Sequence, residues 1–148
     1  MQVRRLGDAV VGAIGMGTAL LAFDTRPMNQ DRFLAAVRTA LDAGVTLIDT
    51  ADTYAPRPEA IGYAEELVSA AVSRAGRSED ILVATKFGHR RGPDGEWLLD
   101  GRPEYVRKAC DRSLRALRVE RIDLYQYHRP DPAVLYAETI GAVEELRK

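Results

Sequence analysis

Cysteine is nearly missing from this sequence: Cys110 is the only one in 148 residues. One thiol excludes an intramolecular disulfide framework and points to a reducing, cytoplasmic setting. No apolar run approaches the roughly 20 residues of a membrane span. The N-terminal MQVRRLGDAV also lacks the apolar core of a secretory signal. No basic cluster is long enough to suggest nucleic acid or an anionic membrane surface, and the formal net charge is −1. Low-complexity tracts and linkers are absent too, and no metal site is expected. With 46% apolar and 29% charged residues the balance is that of a soluble globular protein. The length suits one domain able to bury a core.

Turn and periodicity signals divide the chain into repeating units. Residues 1–13 read as a hairpin folded around Gly7 and Asp8. GAIGMGTAL follows as a short strand that runs into glycines. NQDRFLAAVRTALDAG then places Phe33, Val37, Ala40 and Leu41 at helical spacing and closes on Gly44, a C-cap. VTLIDTA is the second strand, and a helix from about Ile61 to Arg74 carries Leu67, Val68, Ala71 and Val72 on one face. ILVATKFG is the third strand, followed by HRRGPDGEWLLDG, which reads as a loop with His89, Arg90 and Arg91 as a solvated charged stretch. Pro103 opens a helix with Val106, Cys110, Leu114 and Leu117 as its apolar stripe, so Cys110 is expected to pack in the core. IDLYQYH is the fourth strand, and YAETIGAVEELRK starts a further helix.

The order is therefore a hairpin and then four βα units over residues 13–148. Strands alternating with helices imply an α/β protein with a parallel sheet. Two architectures satisfy that order, an open doubly wound sheet and part of a (βα)8 barrel. A whole barrel needs about 250 residues, so the second option makes this chain half of one.

Counted with a period of two, each strand after the first ends on a titratable side chain. Leu47 and Asp49 share a face; so do Leu82, Ala84 and Lys86; so do Ile122, Leu124, Gln126 and His128. Tyr54 lies just beyond Asp49. Singly, Asp49 reads as a loop cap, Tyr54 as an edge aromatic and His128 as a structural histidine. Lys86 is harder to dismiss, because an unpaired buried ammonium is costly, and Asp49 is its available partner. Jointly the four residues fall where parallel α/β proteins place their active sites. They also suit carbonyl reduction. A phenol is a weak acid at neutral pH, and an adjacent ammonium stabilises its phenolate. Asp49 would hold the lysine, Tyr54 would donate the proton, and a neutral His128 would bond the carbonyl oxygen as negative charge develops there.

With DTADTY, the TK of the third strand and the YQYH run of the fourth, the chain resembles the aldo-keto reductases. The similarity extends through RLGDAVVGAIGMGTAL, GYAEELVSAAV and DGRPEYVRKACDRSLRALRVERIDLYQYH. The resemblance implies the N-terminal half of a TIM barrel, with the hairpin plugging its N-terminal end. It maps the family's tetrad onto Asp49, Tyr54, Lys86 and His128. It also implies NADPH, with Gly17, Thr18, Ala19 and Asp49 near the nicotinamide. Most of the family's cofactor contacts come from later strands that this sequence does not contain. Tyr54, His128 and Trp97, the last in the long loop from His89 to Gly101, would line the pocket for a small carbonyl substrate.

An end at Lys148, inside an amphipathic pattern, favours a fragment of a barrel. Its partner would be a second copy or the missing C-terminal half. Two other readings stay open: an aldolase-like barrel with Lys86 as a Schiff-base amine, and a non-catalytic assembly or binding module.

Overall fold

A computed structural model describes residues 1–26 and 29–148. Strands β1 (Val3–Leu6) and β2 (Ala9–Gly12) pair antiparallel with Leu6 opposite Ala9. Gly7 takes the tight turn between them at φ +58°, a conformation that costs glycine nothing. The Gly12 amide donates to Thr46 Oγ1 at 2.8 Å, which ties the hairpin to the residue just before the second parallel strand. It therefore sits at the N-terminal end of the sheet.

The sheet contains β3 (Met16–Gly17), β4 (Leu47–Asp49), β5 (Leu82–Phe87) and β8 (Leu124–Tyr127), all parallel and in that spatial order. A doubly wound sheet reverses its strand order at a switch point. Here each unit adds its strand on the same side of the last, as in a barrel wall. Helices α2 (Asn29–Asp42), α3 (Tyr63–Arg74) and α4 (Pro103–Leu117) form the connections. A four-residue helix, α1 (Ala19–Ala22), precedes α2, and α5 (Tyr136–Leu146) follows β8.

Burial separates the two faces of the sheet. On the helix-covered side Ile48 and Thr85 are fully buried and Phe87 is nearly so, packed against Phe33, Val37, Leu41, Val68, Val106 and Ala109. On the other side the small Ala84 is buried, but Leu47, Asp49, Leu82, Lys86, Leu124 and Gln126 are only half-buried. Cys110 is buried on α4 as its spacing predicts. The stripe itself is rotated slightly, with Ser113 and Ala109 fully buried and Leu114 only half-buried.

Two segments differ from the sequence reading. The helix expected from about Ile61 begins at Tyr63, because Gly62, at φ +91°, takes the cap position. The segment after β5 is not an irregular loop. His89–Arg91 (β6) and Trp97–Leu99 (β7) form an antiparallel pair around Gly92–Gly95. The flanks HRR and WLL are too short to show strand alternation, so only the turn residues of this hairpin are legible. Gly88 makes it possible: at φ +104°, its missing Cβ would lie 2.7 Å from the Tyr127 ring.

Behind the sheet lies a buried acidic pair. Asp52 and Glu65 have no exposed surface. Arg112 Nη2 approaches Asp52 Oδ2 at 3.5 Å, and Thr85 Oγ1 donates to Glu65 Oε1 at 2.6 Å. Burial, and then the neighbouring Glu65, push the Asp52 carboxyl up to about 7, while Arg112 opposes the shift. Burial raises Glu65 as well. Asp52 thus keeps a proton in the folded chain that the unfolded chain releases near pH 4, so its contribution to stability falls as pH rises from about 4 to about 7 and then levels off. Between pH 5 and pH 8 the wild type should therefore lose roughly 5 °C of Tm relative to Asp52→Asn, which is neutral throughout; an equal pH response of the two proteins would contradict the assignment.

Candidate active site

Three neighbouring strands deliver the site. Asp49 is the last residue of β4, Lys86 the penultimate residue of β5, and His128 follows the last residue of β8. The His128 amide donates to the Phe87 carbonyl at 2.9 Å, which continues the ladder by one step and fixes where the imidazole starts. Lys86 Nζ donates to Asp49 Oδ2 at 2.7 Å and to the Thr50 carbonyl at 2.7 Å. Gln126 Nε2 donates to the other carboxylate oxygen, Oδ1, at 3.1 Å. The carboxylate thus receives a donor from each of the two following strands.

Tyr54 comes from the turn after β4, with its amide donating to the Ala51 carbonyl at 3.2 Å. Lys86 Nζ lies 4.9 Å from the centre of its ring, and the His128 ring stands edge-on to it at 5.6 Å. All four residues named from the sequence therefore meet in one place. Burial lowers His128 to about 4, helped by His89 and Lys86 and opposed by Asp49, so the imidazole is neutral at neutral pH.

Aromatic residues enclose this cluster on one side. Phe23 makes an edge contact with Tyr54 at 5.6 Å and with Trp97 at 5.9 Å. Trp97 is 48% exposed, which leaves much of it free to line an open pocket. On the other side, Gly17 pairs in register with Asp49, and Thr18 is fully buried, its amide and hydroxyl both donating to the Asp49 carbonyl. That hydroxyl is committed to the fold. Gly17 is exposed and Ala19 half-buried at the same strand end.

Three further residues belong to the site, and two of them escape a reading from sequence. Gln126 is recoverable from the period-two count, since it shares a face with His128. Phe23 lies in a segment without periodicity. His89, placed by sequence in a solvated charged run, is half-buried against His128 and Trp97, with ring centres 4.3 Å and 5.2 Å away. The hairpin turns it inward, whereas Arg90 beside it is exposed as expected. No cluster of three or more His, Cys, Asp or Glu suited to a metal ion occurs among the described residues.

The family model described as "Aldo/keto reductase family" matches residues 13–148. The chain belongs to that family. "Aldo-keto reductase yakc [NADP(+)]" of Schizosaccharomyces pombe is 34% identical over 143 residues, which is 96% of this chain and 41% of that protein. The holo form of aldo-keto reductase AKR11C1 from Bacillus halodurans superposes with a TM-score of 0.81 at 34% identity, over 99% of this chain and 46% of that one. The glycerol dehydrogenase AKR11B4 from Gluconobacter oxydans gives a TM-score of 0.83 at 32% identity, over 98% of this chain and 44% of that one. The chain thus spans less than half the length of these aldo-keto reductases. Its four βα units correspond to the N-terminal half of the family's TIM barrel.

The Lys86–Asp49 pair makes a testable asymmetry. The Lys86 side chain is 13% exposed and that of Asp49 40%, so a stranded carboxylate can hydrate where a stranded ammonium cannot. Asp49→Asn should therefore cost more stability than Lys86→Met, about 1–3 kcal/mol in urea unfolding. Equal losses would mean that the pair is solvated.

Proposed function

We propose that this chain carries the proton-transfer half of an NADPH-dependent reductase of aldehydes or ketones. The observation that supports the reading most directly is the convergence of Tyr54, Lys86, Asp49 and His128 at the C-terminal ends of three adjacent strands. Family membership and the NADP(+) in a relative's name support the cofactor. Its preference over NADH rests on the family alone.

Gly17, Ala19 and Asp49 suit the nicotinamide end. A Cβ built on Gly17 meets nothing within 4 Å, so the end of β3 offers an open platform beside the half-exposed carboxylate. Bound there, NADPH supplies a hydride. The protein's own part is proton transfer and charge stabilisation. Tyr54 gives its phenolic proton to the carbonyl oxygen. Lys86 stands beside the ring and offsets the phenolate charge that remains. Asp49 and the Thr50 carbonyl hold that ammonium in place. Neutral His128 donates an N–H to the same oxygen as it becomes negative. Phe23 and Trp97 exclude water and shape the pocket.

An amine nucleophile of the aldolase type must be free to turn to its substrate, whereas Lys86 Nζ is held by Asp49 and the Thr50 carbonyl. That engagement disfavours the Schiff-base reading. A non-catalytic assembly module retains one observation in its favour, the half-exposed inward face of the sheet. Native mass spectrometry with NADPH separates the two readings. A dimer carrying NADPH supports a rebuilt barrel, and a dimer without it supports assembly alone. In a complete barrel containing this sequence, Tyr54→Phe should lower carbonyl turnover at least about 100-fold while leaving the fold intact. Undiminished turnover would remove Tyr54 as the proton donor.

A further inference from the structure

We infer that His89 is a second substrate-binding imidazole beside His128, and that the pair selects carbonyl compounds with an oxygen on the neighbouring carbon, such as 2-hydroxy ketones. The inference rests on the reductase reading and names the substrate class of the same site.

His89 and His128 are the only histidines in the chain. Two hairpin features bring them together. Gly88 turns the backbone out of β5 in a conformation open to glycine, and Tyr105 Oη donates to the His89 carbonyl at 2.7 Å. Arg112 Nη2 in turn lies 3.4 Å from Tyr105 Oη. The position of His89 is thus built from α4, and its ring is wedged between Trp97 and His128.

Packing alone does not account for an imidazole there. Nδ1 of His89 and Nδ1 of His128 are both buried without a hydrogen-bond partner among the described residues. A phenyl ring would fill the same space without desolvating a nitrogen. Burial, and then Arg129, also lower the His89 titration, so both rings are neutral at neutral pH. In a neutral imidazole one nitrogen carries the proton. On a buried, unpartnered Nδ1 that proton would be an orphaned donor, which folded proteins rarely leave. The proton therefore belongs on Nε2 of each ring, giving two neighbouring N–H donors. One donor serves the carbonyl oxygen. The other, in a ring whose centre lies 4.3 Å away, finds an acceptor on the substrate when a neighbouring carbon carries a hydroxyl or a second carbonyl. A substrate lacking that oxygen leaves a donor unpaired, a loss worth about tenfold in affinity.

Imidazole ¹H–¹⁵N NMR of the 148-residue chain tests this without requiring turnover, and two histidines make the spectrum assignable. The probes are hydroxyacetone and butanone, which differ by one hydroxyl in place of one methyl. Hydroxyacetone should shift both imidazoles and bind about tenfold more tightly than butanone. His89→Phe should bring the two ketones to parity. The wild-type comparison decides the matter even if that variant folds poorly. Equal affinities for the two ketones, or a nitrogen pattern showing the proton on Nδ1, overturn the role of His89 and leave the reductase reading standing. No response of either ring to either ketone overturns both together.

Discussion

The ion pair between Lys86 and Asp49 is the constraint on which the site depends. An ammonium 13% exposed on the inward face of a sheet needs a partner, and the register of β4 against β5 supplies one. Once the pair forms, other positions follow. The ammonium spans from the carboxylate to the Thr50 carbonyl, which pins the start of the turn that carries Tyr54. Gln126 reaches the free carboxylate oxygen from β8. Thr18, the residue after β3, seals the backbone of Asp49. A single carboxylate residue is thus bonded from every other strand of the sheet, and a one-residue slip in register would turn it to the opposite face.

A second polar layer, on the helix side, holds the loops instead of the strands. Asp52 lies between Asp49 and Tyr54 in sequence but points the other way, toward Arg112 on α4. Its carbonyl accepts from the Gly62 amide at 2.7 Å, and the Tyr54 carbonyl accepts from the Ala64 amide at 3.2 Å. The segment bearing the phenol is therefore fastened to the start of α3 at two points. Two buried acids sharing one arginine are expensive in a core. Their position suggests what offsets that cost: Arg112 also reaches Tyr105, and Tyr105 holds the backbone of His89. One helix thereby braces both the Tyr54 segment and the aromatic hairpin.

Much of this was legible in the residues. The hairpin turn at Gly7, the four βα units and the Gly44 cap follow from glycine, proline and apolar spacing, which act locally. The meeting of Asp49, Lys86 and His128 was legible because strand period and strand end together fix where a side chain goes. His89 was not, since its placement depends on Gly88 adopting a positive φ and on Tyr105 capturing a carbonyl sixteen positions away. Ser113 for Leu114 on the buried side of α4 is a different failure: an apolar stripe gives a helix face only to within one residue. Nothing in the sequence near Asp52 announces its burial, because its partner Arg112 lies sixty positions on.

The division between what four units contain and what they lack follows from barrel geometry. Strands adjacent in sequence are adjacent in the wall, so residues from the ends of β4, β5 and β8 meet without any contribution from the opposite side. The meeting of Asp49, Lys86 and His128 needs only one arc of the wall. The same geometry explains the burial pattern. Barrel interiors are filled in layers drawn from alternate strands around the whole circle. Leu47, Leu82 and Leu124 face that interior and stay half-exposed, because the side chains that would meet them belong to the far wall. Ile48, Thr85 and Phe87 face the helices and are buried, because their partners are local. Stability in this chain therefore rests on the outer layer, and the inward face is left to chemistry and to whatever closes the circle.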